Sequence, residues 1–194
     1  GAVRREAEAW RYIGLLILAS VPAGVVGVFF EDAIVKAFSV PAVTGVMLLV
    51  TGAILWTTRW ATPRADQDRI GWPVALAMGL GQAFAILPGI SRSGTSITAG
   101  LWGRVNGEKV AEFSFLMSVI AITGALSLYV GEIGSSVEQV GVVPLLVGFV
   151  TALLSGIFAI RFLVWLLQRQ AFYAFAFYVW AAGGLFLLYL GVRG

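Results

Sequence analysis

The feature that most constrains this chain is a series of uncharged, apolar runs. Each is about 20 residues long, and a helix of that length crosses the hydrocarbon core of a bilayer. The runs occupy residues 12–30, 39–58, 113–131, 139–160 and 170–192. We therefore expect an all-α integral membrane protein with five spanning helices.

Composition agrees with this expectation and narrows the chemistry. Of the 194 residues, 59% are hydrophobic and 12% are charged, whereas soluble domains are about 45–50% apolar and 25% charged. A single membrane domain covering 1–194 leaves no room for a soluble catalytic domain. The chain has neither cysteine nor histidine, which excludes disulfides, thiolate and imidazole chemistry, and the common zinc and haem sites. Any reaction must use hydroxyls, carboxylates, arginine or lysine.

A sixth apolar region, 72–103, is interrupted by the polar stretch LPGISRSG. Pro88 lacks a backbone donor, and Gly89 and Gly94 allow conformations that end or bend a helix. The pattern predicts a re-entrant hairpin, in which two half-helices are joined by a loop at membrane depth. Such a loop must be buried in protein or line a wet cavity. The alternative is one spanning helix with a kink.

The distribution of basic residues favours the hairpin. If the hairpin enters and leaves on one face, that face collects Arg4, Arg5, Arg11, Arg59, Arg64, Arg69, Arg104, Lys109, Arg161 and Arg169. The opposite face then has only Lys36 and Arg193. Basic residues concentrate on the cytoplasmic side of membrane proteins, so we expect a cytoplasmic hairpin mouth. The net charge of +3 follows from this topology, and no nucleic acid partner is expected.

Arg92 is the only charged residue between Arg69 and Arg104. Placing it at membrane depth costs about 3 kcal/mol on insertion scales, and ionisable residues at such depth usually serve a ligand or a pathway. A guanidinium grips phosphate oxygens with two parallel bonds, and a helix N-terminus offers free N–H groups. The neighbouring hydroxyl residues are Ser91, Ser93, Thr95, Ser96 and Thr98. The stretch therefore predicts a phosphate site.

Three alternatives bear on that prediction. Arg92 could instead pair with a carboxylate or cap carbonyl groups in a packed bundle, with Glu112 as a candidate partner. Thr95 and Thr98 could bond back to their own helix. A nucleotide P-loop is excluded, because the pattern GxxxxGK[ST] does not occur.

The stretch GQAFAILPGISRSGTSITAG resembles the second signature motif of the bacterial undecaprenyl-diphosphate phosphatase family of the bacitracin-resistance type. The segments ILASVPAGVVGVFFEDAI and AEFSFLMSVIAITGA are similar to its flanking helices. The resemblance implies a hydrolase of the bacterial inner membrane. It would remove one phosphate from undecaprenyl diphosphate and so recycle the lipid carrier of peptidoglycan synthesis.

The resemblance also implies a fold and a set of site residues. The fold consists of two inverted repeats, with 12–58 as the end of the first repeat and 72–192 as the second. The implied catalytic residues are Ser91, Arg92 and Ser96. The implied phosphate-binding residues are Ser93, Gly94 and Thr95. Position 96 usually holds threonine in the family, and serine keeps the hydroxyl there.

The family's first signature, with paired glutamates and a serine-rich loop, has no counterpart in this sequence. That segment is thought to supply the nucleophile and the carboxylates near a divalent cation. Either a separate upstream chain supplies that segment or this chain is a fragment of a longer protein, and we expect the fragment. The Mg²⁺ or Ca²⁺ ligands should then lie mainly outside this chain. No metal ligand is assigned among its own residues, and only Glu112 is a candidate for holding a cation. The expected partners are a polyprenyl diphosphate and membrane lipids, and a homodimer is left open. The rival function is a transporter or flippase of a phosphorylated polyprenyl lipid, since broken helices in inverted repeats are typical of transporters.

Overall fold

The computed structural model describes residues 2–129 and 140–193, and its regular elements are helices. Short 3₁₀ turns at Thr62–Arg64 and Phe172–Ala174 accompany the α-helices. The α-helices are α1 Ala2–Phe29, α2 Glu31–Phe38, α3 Pro41–Ala61, α4 Trp72–Phe84, α5 Arg92–Trp102, α6 Gly107–Tyr129, α7 Val142–Gln168 and α8 Phe175–Arg193.

Four helical segments in the described part are long and apolar enough to cross a membrane: Glu6–Phe29, Pro41–Arg64, Val142–Gln168 and Phe172–Val192. They match four of the predicted runs, and the prediction of an all-α membrane protein is confirmed. The fifth run, 113–131, begins within α6, which is not among the four. The last two residues of that run and the first residue of 139–160 lie outside the described residues. The count of five spans stays a prediction.

The interrupted region 72–103 forms two packed helices, α4 and α5, joined by a loop at 85–91. The chain segments that flank the pair are tied together by backbone bonds. The N–H of Gln67 donates to the carbonyl of Arg104 at 2.9 Å, and the N–H of Asn106 donates to the carbonyl of Gln67 at 2.8 Å. The hairpin therefore starts and finishes at the same end of the molecule, and its loop lies at the other end of the two helices.

Small residues let the helices approach closely on both sides of the hairpin. Gly79 of α4 lies so near Ala19 of α1 that a Cβ on the glycine would collide with the alanine backbone. A Cβ on Gly52 of α3 would meet the Trp180 ring of α8, and the Trp180 indole N–H donates to the carbonyl of Leu49 at 3.0 Å. Close backbone approach at small residues is the usual mode of helix packing in membranes.

Two elements lie at the edge of this packing. In α7 only Leu167 is buried. The short helix α2 has no buried residue, and the sequence analysis did not predict it. Glu31 and Asp32 occupy its first turn and Lys36 its last, so its charges complement the helix dipole. Its eight residues fall short of the window of about 11–18 residues over which helical periodicity is read.

Candidate functional site

The loop between α4 and α5 is shaped by Gly89, whose φ is +95°. Glycine alone adopts this left-handed conformation without a steric penalty. A Cβ at this position would also collide with the carbonyl oxygen of Thr44 in α3. The loop thus lies directly against the first half of α3.

Ser91 is the N-cap of α5 and fixes where that helix begins. Its Oγ accepts a hydrogen bond from the N–H of Gly94 at 3.1 Å, which satisfies one of the free donors at the helix start. The N–H groups of Arg92 and Ser93 have no acceptor that we find in the described part of the chain. They remain available to a ligand, and the positive end of the helix dipole favours an anion there.

The Arg92 side chain is exposed at this helix start. Within residues 2–129 and 140–193 we find no ion pair or hydrogen bond for its guanidinium. By contrast, Arg69 pairs with Glu8 at 3.0 Å and Arg104 with Asp66 at 3.1 Å. The structure therefore shows no pairing of Arg92 with a carboxylate of the described residues, and with respect to these residues the guanidinium is available to an external anion.

The hydroxyl groups of α5 differ in their surroundings. Ser91 and Ser93 are partly exposed, whereas Thr95, Ser96 and Thr98 are buried. The three buried hydroxyls donate to carbonyl groups one turn back, as Ser and Thr often do in helices. These bonds are Thr95 to Ser91 at 2.7 Å, Ser96 to Arg92 at 2.9 Å and Thr98 to Gly94 at 2.7 Å.

Ser96 makes one further contact, across the bundle. Its Oγ lies 2.7 Å from the Oγ of Ser114 in α6, and Ser96 is fully buried. The structure thus brings Ser91, Arg92, Ser93 and Gly94 together at the start of α5, while Ser96 is held against α6. Which of these residues act in a reaction stays a prediction.

Two residues at this site were missed by the sequence analysis. Thr51 of α3 bonds the loop on both sides of Ile90, and Ser114 bonds Ser96. A hydroxyl in an apolar helix most often bonds the backbone of its own helix. The sequence therefore gave no indication that Thr51 and Ser114 contact other segments.

The carboxylates of the described residues do not form a cation site. Glu112 is paired with Lys109 at 3.2 Å instead of orienting Arg92. No group of three or more Asp or Glu residues that could hold a metal occurs in the described part.

An apolar groove of about 400 Å³ lies beside the loop. The end of α1, the helix α2 and the end of α4 form its walls, and two loop residues contribute to it. Its lining consists of Val26, Phe30, Ala33, Ile34, Leu80, Ala83, Phe84, Ile86 and Leu87.

Aromatic and basic side chains gather at the opposite end of the hairpin. The Arg59 guanidinium lies 4.7 Å from the centre of the Trp56 ring and 5.0 Å from that of Trp60. The indole N–H of Trp102, at the end of α5, donates to Thr57 Oγ1 at 3.0 Å. Tryptophan and arginine are enriched where membrane helices meet the headgroups.

Four apolar segments and an unpaired arginine at the start of α5 define the class: a multi-pass helical membrane protein with a candidate anion site at that helix start. Comparison with known proteins gives the family. The chain belongs to the family of the bacitracin resistance protein BacA, whose family model matches residues 2–185. The resemblance inferred from the hairpin motif is therefore confirmed.

Individual relatives are similar over most of the chain. A protein of Alkaliphilus metalliredigens named undecaprenyl-diphosphatase is 37% identical over 95% of this chain and 68% of its own length. Proteins of the same name from Methanothermobacter thermautotrophicus and Methanobrevibacter smithii are 39% and 40% identical, each over 89% of this chain. The aligned part covers 97% of the former and 63% of the latter, so this chain spans less than two thirds of some relatives.

Proposed function

We propose that the protein removes one phosphate from undecaprenyl diphosphate and leaves undecaprenyl phosphate, the lipid carrier of cell-wall synthesis. The observation that carries the proposal is the unpaired Arg92 beside the free N–H groups of Arg92 and Ser93 at the start of α5. Relatives named undecaprenyl-diphosphatase support the choice of substrate.

In this proposal the hairpin of α4 and α5 is re-entrant, and α6 is a fifth span. Three observations support the re-entrant hairpin. Both ends of the hairpin meet at Gln67, and its loop contacts residues 44–51, in the first half of α3 and away from the other end of that helix. The tryptophans and arginines lie at that other end, where the hairpin would enter. The protein would lie in the bacterial inner membrane with the hairpin mouth on the cytoplasmic side, as the basic residues favour.

The two inverted repeats, ending at 58 and spanning 72–192, are part of the same proposal. Corresponding helices of inverted repeats run in opposite directions. The last spans of the two repeats would be α3 and α8, which pack with Gly45 beside Leu187 and Gly52 beside Trp180. The antiparallel order of these contacts supports the repeat assignment.

The reaction breaks one P–O bond of the P–O–P anhydride link. Water supplies the hydroxyl of the released phosphate and the proton that the bridging oxygen takes up. Arg92 would grip the diphosphate with its two-pronged guanidinium and stabilise charge that develops on the transferred group. The hydroxyls of Ser91 and Ser93 and the free N–H groups of Arg92 and Ser93 would complete the cradle. Gly94 would support it, because its N–H holds the Ser91 hydroxyl in place. Ser96 would not contact the phosphate; its bond to Ser114 would hold α5 against α6.

A divalent cation would need ligands beyond the described residues, and none of these steps involves it. The nucleophile is likewise not assigned to a residue of this chain. The apolar tail of the lipid would occupy the groove beside Ile86 and Leu87, whose lining is suited to hydrocarbon. A homodimer stays a prediction, which a mass measurement of the detergent-solubilised protein tests.

The second candidate function is a flippase or transporter of the same phosphorylated lipid. The broken hairpin favours it, since transporters place their sites where discontinuous helices meet. A pure flippase moves its substrate between two compartments and leaves the anhydride bond intact.

One experiment separates the two functions. Purified full-length protein, with the segment that is expected to supply the nucleophile, is incubated in detergent micelles with undecaprenyl diphosphate. Free phosphate is measured, with undecaprenyl phosphate as the matched control lipid. We expect release from the diphosphate alone. No release from either lipid would overturn the hydrolase and favour the flippase, for which transfer between the leaflets of sealed vesicles is then measured.

A further inference from the structure

We propose that Thr51 is a positioning residue that orients the anion cradle of α5, an inference that rests on the proposed function. Thr51 is 2% exposed and lies in the apolar helix α3. Its hydroxyl donates to the carbonyl of Gly89 at 2.8 Å and accepts from the N–H of Ser91 at 3.1 Å. One side chain thus satisfies two backbone groups of the loop, 38 and 40 residues away in sequence.

These two bonds hold the part of the loop that determines the direction of α5. Gly89 has the left-handed backbone, and Ser91 is the N-cap. The free N–H groups of Arg92 and Ser93 follow directly. Since no acceptor in the described part holds those two groups, their direction depends on how the preceding residues are anchored.

Thr51 bonds the loop backbone from the α3 side and is almost completely buried. It therefore acts through Ser91 and does not touch the substrate. The bonds also have no ready substitute, because a loop at membrane depth has little water with which to satisfy a carbonyl and an N–H. Loss of the hydroxyl leaves both groups unpaired in a buried place.

The test uses three substitutions at this position in the full chain. Thr51→Val keeps the shape of the side chain and removes the hydroxyl, Thr51→Ala removes it without requiring space, and Thr51→Ser retains it. The matched control is Thr151→Val in α7, because the Thr151 hydroxyl bonds only its own helix, at Val147. Two quantities are measured for each protein in detergent: the rise in melting temperature that inorganic pyrophosphate produces, and KM and kcat for undecaprenyl diphosphate.

We expect Thr51→Val and Thr51→Ala to bind pyrophosphate roughly tenfold more weakly, as the loss of two buried hydrogen bonds suggests. KM should rise by a similar factor while kcat changes less, because the groups that contact the phosphate are still present. Thr51→Ser should restore binding, and Thr151→Val should match the wild type. A residue with a merely structural role would lower the melting temperature without pyrophosphate and leave the pyrophosphate affinity unchanged.

Wild-type affinity in Thr51→Val, or equal loss in Thr51→Ser and Thr51→Val, would overturn the role of Thr51. Wild-type protein that binds pyrophosphate but releases no phosphate from the lipid would overturn the hydrolase alone, and the binding series then still decides on Thr51. Wild-type protein that fails to bind pyrophosphate would overturn the role of Thr51, because there would be no cradle to orient.

Discussion

Helices α5 and α7 each carry an arginine and hydroxyl residues, but α5 is mostly buried and α7 is mostly exposed. The 11-residue helix α5 carries an arginine and four hydroxyl residues, yet most of it is buried. The 27-residue helix α7 is far more apolar, and only Leu167 in it is buried. In water such an arrangement would expose a large hydrophobic surface. In a bilayer it is expected, because hydrocarbon solvates apolar side chains and polar groups need partners inside the protein.

The hydroxyl residues of the two helices also differ in their hydrogen-bond partners. On α7, Thr151 and Ser155 are exposed and donate to carbonyls of their own helix. On α5, Ser96 bonds its own helix and also Ser114 of α6. Equivalent substitutions in the two helices should therefore have unequal effects.

The largest effect is expected for the arginines of the two helices. Arg92→Ala should lower phosphate release by about a hundredfold to a thousandfold, as the loss of one donor to a transition-state anion does elsewhere. Arg92→Lys should recover only part of it, because lysine lacks the two-pronged geometry. The melting temperature should hardly change. Arg161→Ala in α7 is the control and should keep full activity, and undiminished release by Arg92→Ala would remove Arg92 from the site.

Truncation of an aliphatic side chain should be the next largest effect. Ile97 of α5 is completely buried, whereas Leu154 of α7 is 63% exposed. Ile97→Ala should lower the free energy of unfolding by about 2–4 kcal/mol because it leaves a cavity. Leu154→Ala should change it by less than about 0.5 kcal/mol. Reversible denaturation in detergent measures both, and equal losses would contradict the contrast between the helices.

Alanine in place of glycine gives an intermediate effect. Gly89→Ala should cost about 1–3 kcal/mol because φ is +95° there, and the new methyl group would collide with Thr44. Gly148 of α7 has no atom within 4 Å of an added Cβ. Gly148→Ala should therefore keep or slightly raise the stability, since alanine is the better helix former. The melting temperatures of the two variants check this, and a Gly89→Ala protein as stable as Gly148→Ala would contradict the loop conformation.

The smallest effect is expected for the serines. Ser96→Ala removes the bond to Ser114 and should lower the free energy of unfolding by about 1 kcal/mol. Ser155→Ala should leave it nearly unchanged, since alanine restores helix propensity and no other helix is involved. Denaturation curves compare the two stabilities. Phosphate release per folded protein should fall less for Ser96→Ala than for Arg92→Ala, and an equal fall would place Ser96 in direct contact with the substrate.

The sequence predicted the parts of this molecule that local chemistry determines. Pro88 and Gly89 interrupt an apolar run, so the helix pair of the hairpin was foreseeable, and the cost of placing Arg92 in lipid indicated a ligand. The contacts of Thr51 and Ser114 with other segments could not be predicted. A hydroxyl in a helix can bond the backbone of its own helix, and only the packing of the helices decides whether it bonds another segment. The burial of Ser96 depends in the same way on where α6 lies. The short helix α2 was missed because eight residues are too few for a periodic pattern.

The two backbone bonds at Gln67 bear on how the chain enters the membrane during biogenesis. They join the residues before α4 to those after α5. In the re-entrant arrangement proposed above, the joined ends stay on one side of the bilayer, so neither half-helix has to be translocated and Arg92 does not cross the whole hydrocarbon layer. The Asn106 side chain has a second task, because its Oδ1 accepts a hydrogen bond from the N–H of Glu108 at 2.9 Å. The closure itself is made by main-chain atoms, so position 67 tolerates any side chain except proline, which has no N–H to donate.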